Sequence, residues 1–393
     1  MFLPKPKEVL LMGPGPSPVS RDVLSAIGQH TLGHLDADFL DIMNETSSML
    51  RYVFETENEI TFPVSGTGSA GMEAAMVNLL EPGDEVIIAV CGVFGQRMVD
   101  VASRCGAKVN VVEADWGQPI DPQRVARAVT DNPCSKMIGI VHAETSTGVL
   151  QDLKPIKELI EGKDMLLLVD AVTSLGGIPV EVDKLGLDIV YSGNQKCLGA
   201  PPGLAPITFN DKALDAVQKR KSKVQSWYLD LTFLTRYWGE ERFYHHTAPI
   251  NMIYGLYEAL AEIREEGLVA RFTRHSLHSK ALVAGLEALG VRPVVDEKDR
   301  LASLTAVWIP DGVDDVAVRS GLRRDHLIEI GGGLGPFKGK VWRIGIMGHG
   351  ARRENVERLV NALAVTLKSL QYSCSLSEAE AAVNSVYKNY AGQ

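Results

Sequence analysis

Long apolar runs are missing from this sequence. Its apolar stretches, such as Met165 to Val169, fall far short of the roughly 18 residues that suggest a membrane span. The run Val9 to Met12 is likewise too short for a secretory core. Neither export nor a membrane partner is expected. Cysteine is scarce: Cys91, Cys105, Cys134, Cys197 and Cys374 are scattered, odd in number and never spaced C-x-x-C. A disulfide frame and a zinc cage are thereby disfavoured, and no metal site is expected; reduced thiols in a cytoplasmic protein are. The C-terminus has no S-K-L address, which keeps the cytoplasmic expectation. Positive charge is also in deficit, with 40 Lys plus Arg against 49 Asp plus Glu, so a non-specific nucleic-acid partner is disfavoured. Internal repeats and low-complexity segments are absent, as is any G-x-x-x-x-G-K-[ST] phosphate loop.

What remains is 393 residues, 45% of them hydrophobic, enough for two or three domains around large cores. Short β-branched runs recur between helix-like segments: Val86 to Val90, Val109 to Val112, Met137 to Val141, Leu166 to Val169 and Ile189 to Tyr191. Unalternated runs of this length fit strands covered on both faces of a parallel sheet, so the class is α/β. Asp121 and Pro122 read as the cap and first turn of a helix, and Gly267 as the end of a long helix from Met252 to Glu265. Beyond it, strands Leu304 to Ile309 and Lys340 to Met347 with helices Leu268 to Leu289 and Arg353 to Leu370 form a smaller α/β unit. Ser377 with Glu380 has capping-box spacing for one more helix. The expected division is an arm over 1–20, a large domain over 21–267, a small domain over 268–374 and a helical extension over 375–393.

Three motifs carry chemistry. Ser65 to Gly71 is a Gly-rich turn between a strand and a helix, suited to a phosphate. Gly66, Gly68 and Gly71 also match the G-x-G-x-x-G dinucleotide fingerprint, but Asp84 and Glu85 precede the next strand instead of ending it, so the ribose acid of an NAD-dependent dehydrogenase is missing. Leu166 to Asp170 is a buried strand delivering a carboxylate at its carboxyl end. Tyr191 to Lys196 places a lysine just after a strand, in a loop continued by Ala200-Pro201-Pro202-Gly203, the setting of a Schiff-base amine. Lysine, aspartate and phosphate loop together describe a site for pyridoxal 5′-phosphate: an imine at the aldehyde, a partner for the pyridine nitrogen and a phosphate cradle.

With MGPGP at Met12 to Pro16, SGTG at Ser65 to Gly68, STGV at Ser146 to Val149, VDAVTSLGG at Val169 to Gly177, YSGNQK at Tyr191 to Lys196, YHHT at Tyr244 to Thr247 and RIG at Arg343 to Gly345, the chain resembles class V, fold-type I aminotransferases. Within them it resembles the alanine-glyoxylate and serine-pyruvate group. The resemblance implies a large domain with a mainly parallel seven-stranded sheet sandwiched by helices, a smaller C-terminal α/β domain, and a homodimer with shared active sites. It implies Lys196 as the Schiff-base lysine and Asp170 at the pyridine nitrogen. Thr67, Gly68, Ser69 and Gln195 fall at the phosphate, Thr145 on the ring hydroxyl side and Phe94 on the ring face. Tyr244 and Thr247 reach the neighbouring subunit's phosphate, and Ser174 and Arg343 hold the substrate carboxylate. Phe94 stands where animal members commonly have Trp, and Ser69 where His is frequent. Alternating Trp342, Ile344 and Ile346 put Arg343 on the opposite face of its strand, suited to bidentate capture of a carboxylate. With one such arginine recognised, the expected substrates are small monocarboxylic amino acids and oxoacids: alanine or serine with glyoxylate or pyruvate. A cysteine desulfurase of the same fold is the nearest alternative, weakened by Gln195 and Phe94 where that group has histidines.

Overall fold

The computed structural model describes residues 7–391. Its central sheet has seven strands in the spatial order Ile60–Ser65, Leu204–Phe209, Ile189–Tyr191, Leu166–Asp170, Met137–Val141, Glu85–Val90 and Lys108–Glu113. All run parallel except Leu204–Phe209, which is antiparallel to both neighbours. That strand is absent from those read in the sequence, and Pro206 lies within it, where proline favours an edge or a non-strand. Two features accommodate it. Pro206 lies opposite Pro63 of the edge strand Ile60–Ser65, and pairing on its other side begins only at Ile207.

Helices cover both faces, giving one apolar cluster around Phe39, Leu50, Ile138 and Val169 and a second around Met72, Ile88, Leu168 and Ile207. Successive residues of Leu166–Asp170 thus enter opposite cores, which is why the strand shows no polar alternation. Asp121 caps Pro122–Asp131 by accepting from Gln123 N at 2.9 Å. Gly267, at φ +79°, ends Ile250–Glu266; only glycine adopts that conformation without strain.

The smaller unit packs the sheet Leu304–Trp308, Val341–Gly345, Gly331–Gly332 against the helices Leu268–Ala288, Asp315–Asp325 and Arg353–Ser369 in a third cluster. Two further segments join it. Leu10–Leu11 pairs parallel with Ile328–Glu329, and Met12 is buried in the cluster. Leu376–Ala391 contributes Ala379, Val383 and Tyr387. The expected cap Ser377 lies inside that last helix; Ser375 precedes it and accepts from Glu378 N at 3.3 Å, so the capping spacing belongs to Ser375 and Glu378. Among the described residues no helix is long and apolar enough to cross a membrane.

Candidate active site

The carboxyl ends of the parallel strands open into a cavity of about 320 Å³, closed on one side by Gly15 and Pro16. Lys196 and Asp170 both line it, since Asp170 ends the strand next to Ile189–Tyr191 and pairs with Tyr191. Lys196 is buried, with 8% of its surface exposed, and Nζ donates to the carbonyl of Pro14. Burial draws its ammonium down to about 8, near the range in which an amine can both hold and release a proton. Gly15, at φ +112°, backs this contact: a Cβ there would lie 2.7 Å from Lys196 Cδ, Cε and Nζ. Asp170 accepts from Val172 N at 2.8 Å on Oδ1 and from the Tyr191 hydroxyl at 2.7 Å on Oδ2. Burial nevertheless raises its carboxyl to about 6.

Thr67, Gly68 and Ser69 form one end of the cavity, with Gln195 beside them. Thr67 begins the helix Gly68–Leu79 without making a side-chain cap, so its hydroxyl is not committed to the helix end. Gln195 Oε1 is buried with no partner. Space for the loop comes from glycines: a Cβ on Gly193 would come within 2.9 Å of Gln195 Oε1 and 3.2 Å of Gly68 Cα.

Phe94 forms part of the cavity wall, from the first turn of Val93–Arg104. Glu144 fixes that turn. Its Oε2 accepts from Phe94 N at 3.2 Å and Gly95 N at 3.4 Å, while Oε1 takes Ser146 N at 3.0 Å and Ser146 Oγ at 2.6 Å. An anionic acceptor at a helix N-terminus is favoured by the helix dipole, although complete burial raises the carboxyl. Arg97 also lines the cavity, 4.9 Å over the Phe94 ring and donating to Ser69 Oγ at 3.0 Å.

The other expected residues lie off the cavity wall. Arg343 is buried and donates through Nε to Gly332 O at 2.8 Å and through Nη1 to Thr145 O at 3.3 Å; Nη2 has no partner among the described residues. Burial lowers its guanidinium to about 10. Its charge also disfavours protonation of Lys196, which puts it within electrostatic reach of that amine. Thr145 turns its hydroxyl to Thr173 Oγ1 at 2.6 Å. Ser174 is fully enclosed and its Oγ has no partner among the described residues, which leaves that hydroxyl uncommitted. The turn after Asp170 folds back on itself, Ser174 O accepting from Gly177 N at 2.9 Å. Tyr244 and Thr247 are both exposed, their hydroxyls 3.1 Å apart.

The sequence reading named neither Arg97 nor Glu144. A signal existed for Arg97, three residues after Phe94 and therefore on the same helix face. None existed for Glu144, whose helix-end partners Phe94 and Gly95 are some fifty positions away.

Pyridoxal 5′-phosphate fits these residues. An amine and a carboxylate share one cavity, a Gly-rich helix start faces its end, and the orphaned Gln195 Oε1 adjoins that helix start.

Comparison with known proteins agrees. The Aminotransferase class-V family model matches residues 9–359. An alanine–glyoxylate aminotransferase of Callithrix jacchus is 42% identical, over 91% of this chain and 87% of that protein. The crystal structure of alanine–glyoxylate aminotransferase from Nostoc sp. aligns with TM-score 0.92 at 46% identity, covering 93% of this chain and 97% of that one. That of ureidoglycine-glyoxylate aminotransferase from Bacillus subtilis aligns with TM-score 0.96 at 39% identity, covering 99% and 100%. With the family model spanning nearly the whole chain and the lysine–aspartate cavity in place, this protein belongs to the class V aminotransferases, enzymes dependent on pyridoxal 5′-phosphate.

Proposed function

We propose that the enzyme moves the amino group of a small L-amino acid, alanine or serine, to glyoxylate or pyruvate. The observation that carries this is the cavity of about 320 Å³ holding Lys196 and Asp170, with the buried Arg343 close by. When bound, the cofactor supplies an aldehyde for the amino group and a ring that accepts electrons from the substrate carbon. Lys196 Nζ is the base that removes the α-proton and the acid that returns it, a role favoured by its lowered affinity for protons. Asp170 holds a proton on the ring nitrogen. Thr67, Gly68, Ser69 and Gln195 bind phosphate, and Phe94 packs on the ring. Thr145 lies on the ring hydroxyl side. Arg343 takes the α-carboxylate through its free Nη2. Arg97 is occupied by Ser69 and Phe94, which leaves the preference for monocarboxylic substrates in place.

The enzyme acts as a cytoplasmic homodimer. Tyr244 and Thr247 reach the phosphate bound by the partner subunit, a reading supported by their exposure and their absence from the cavity of their own chain. A desulfurase would need a mobile reactive cysteine. Cys197 is instead fully buried, and Cys374 Sγ lies against Ala364 of the small unit.

A donor-by-acceptor activity matrix tests the assignment, with alanine, serine, aspartate and (S)-ureidoglycine against glyoxylate and pyruvate. Alanine or serine with glyoxylate should be among the fastest pairs. Faster turnover of aspartate would overturn the substrate class, and faster turnover of ureidoglycine would move the donor toward that of the Bacillus relative. Near-normal activity in Lys196→Ala would remove the catalytic assignment itself.

A further inference from the structure

A second cavity, of about 540 Å³, lies between the large unit, the helix Leu268–Ala288 and the last helix. His142, Leu150, Phe272, Ser276, Lys280 and Tyr390 are on its walls. Its volume is in the range of sites for small molecules, which favour such junctions. It shares no lining residue with the cofactor cavity.

Two observations point to a ligand. His142 is only 8% exposed, yet neither ring nitrogen has a hydrogen-bond partner among the described residues, and its Nδ1 is completely enclosed. Buried polar groups without partners are few in folded proteins and call for an explanation. Burial also keeps the imidazole neutral, down to about 4, so it offers one donor and one acceptor without charge. The second observation is charge. Lys280 is the one charged group lining the cavity and makes no ion pair among the described residues, although Glu287 and Glu297 line an adjoining crevice that it shares. A cation at the rim of an otherwise apolar and hydroxylated hollow complements a carboxylate on an apolar body.

We propose that this cavity is a second binding site for an aryl-substituted monocarboxylate, its carboxylate on Lys280, its ring against Leu150 and Phe272, and its polar edge at His142. Two contacts connect the site to the backbone that carries Asp170. His142 N donates to Asp170 O at 3.0 Å, and Ser303, next to the lining residue Ala302, donates through Oγ to Thr173 O at 3.0 Å. Occupancy is therefore expected to alter the cofactor's absorption.

Calorimetric titration of the holoenzyme with 3-phenylpropanoate tests this, in wild type, Lys280→Ala, Ser276→Trp and Arg343→Ala. Lys280 is exposed, so its truncation leaves the fold intact. Expected are one site per chain that persists in Arg343→Ala, binding at least about tenfold weaker in Lys280→Ala, loss in Ser276→Trp, which fills the cavity, and a change in the cofactor spectrum that follows the same order. Absence of binding overturns the proposal. So does binding that survives both cavity variants, or that disappears in Arg343→Ala, because the carboxylate then uses the catalytic cavity.

Discussion

The hydroxyl of Tyr191 donates a 2.7 Å hydrogen bond to Oδ2 of Asp170, from the neighbouring strand and with both residues buried. The bond favours the anionic carboxylate against the burial that raises it to about 6. A raised carboxyl favours the protonated form in the fold, so Asp170 weakens the cofactor-free protein increasingly as pH climbs from the usual carboxylate range through about 6. A cation placed opposite draws the value back down. Cofactor retention should therefore rise with pH up to about 6 and level off above it. Equilibrium dialysis of pyridoxal phosphate between roughly pH 5 and 8 measures this; an identical slope in Asp170→Asn would refute the link. Tyr191→Phe removes a bond worth roughly 1.5 to 3 kcal/mol and should move the curve to higher pH.

Gly15→Ala tests the wall behind the lysine. At φ +112° an alanine is strained, by about 1 to 3 kcal/mol, and its Cβ would displace the Lys196 amine. We expect a folded enzyme with turnover lowered by about 100-fold. Unchanged kcat would show that the amine tolerates displacement.

Glu144→Gln should cost roughly 1 to 3 kcal/mol, since an amide turns N–H donors toward the donors of Phe94, Gly95 and Ser146. Thermal unfolding reports the loss. Weaker retention of the cofactor is expected with it, because Phe94 loses its anchor; a lowered Tm with unaltered retention would mean that Phe94 does not need it.

Mixed dimers test subunit sharing. Lys196→Ala and the double variant Tyr244→Ala, Thr247→Ala should each be impaired alone. Unfolded and reassembled together, they should restore about a quarter of the sites, since half of randomly formed dimers carry one intact set. No gain on mixing would place all the site residues on one chain.

How legible the site was depended on how local each signal is. Asp170 and Lys196 could be read because strand ends are sequence-local and a parallel sheet brings adjacent strand ends together. Leu204–Phe209 could not, because Pro206 is tolerable only through pairing choices made by Pro63 and Ile207. Glu144 looked like one more acidic residue until the fold laid it on a helix end formed fifty residues earlier.

The N-terminal arm links distant parts of the molecule. Met12 O accepts from Gly345 N at 2.8 Å, Pro14 O from Lys196 Nζ, and Ser17 Oγ donates to Lys196 O at 2.7 Å. Among the described residues Leu10–Leu11 has its strand partner in Ile328–Glu329. During synthesis the segment around Leu10 must therefore wait for Ile328–Glu329 and Gly345 to emerge, so the wall around the lysine is completed only after the sheet of the smaller unit has been made.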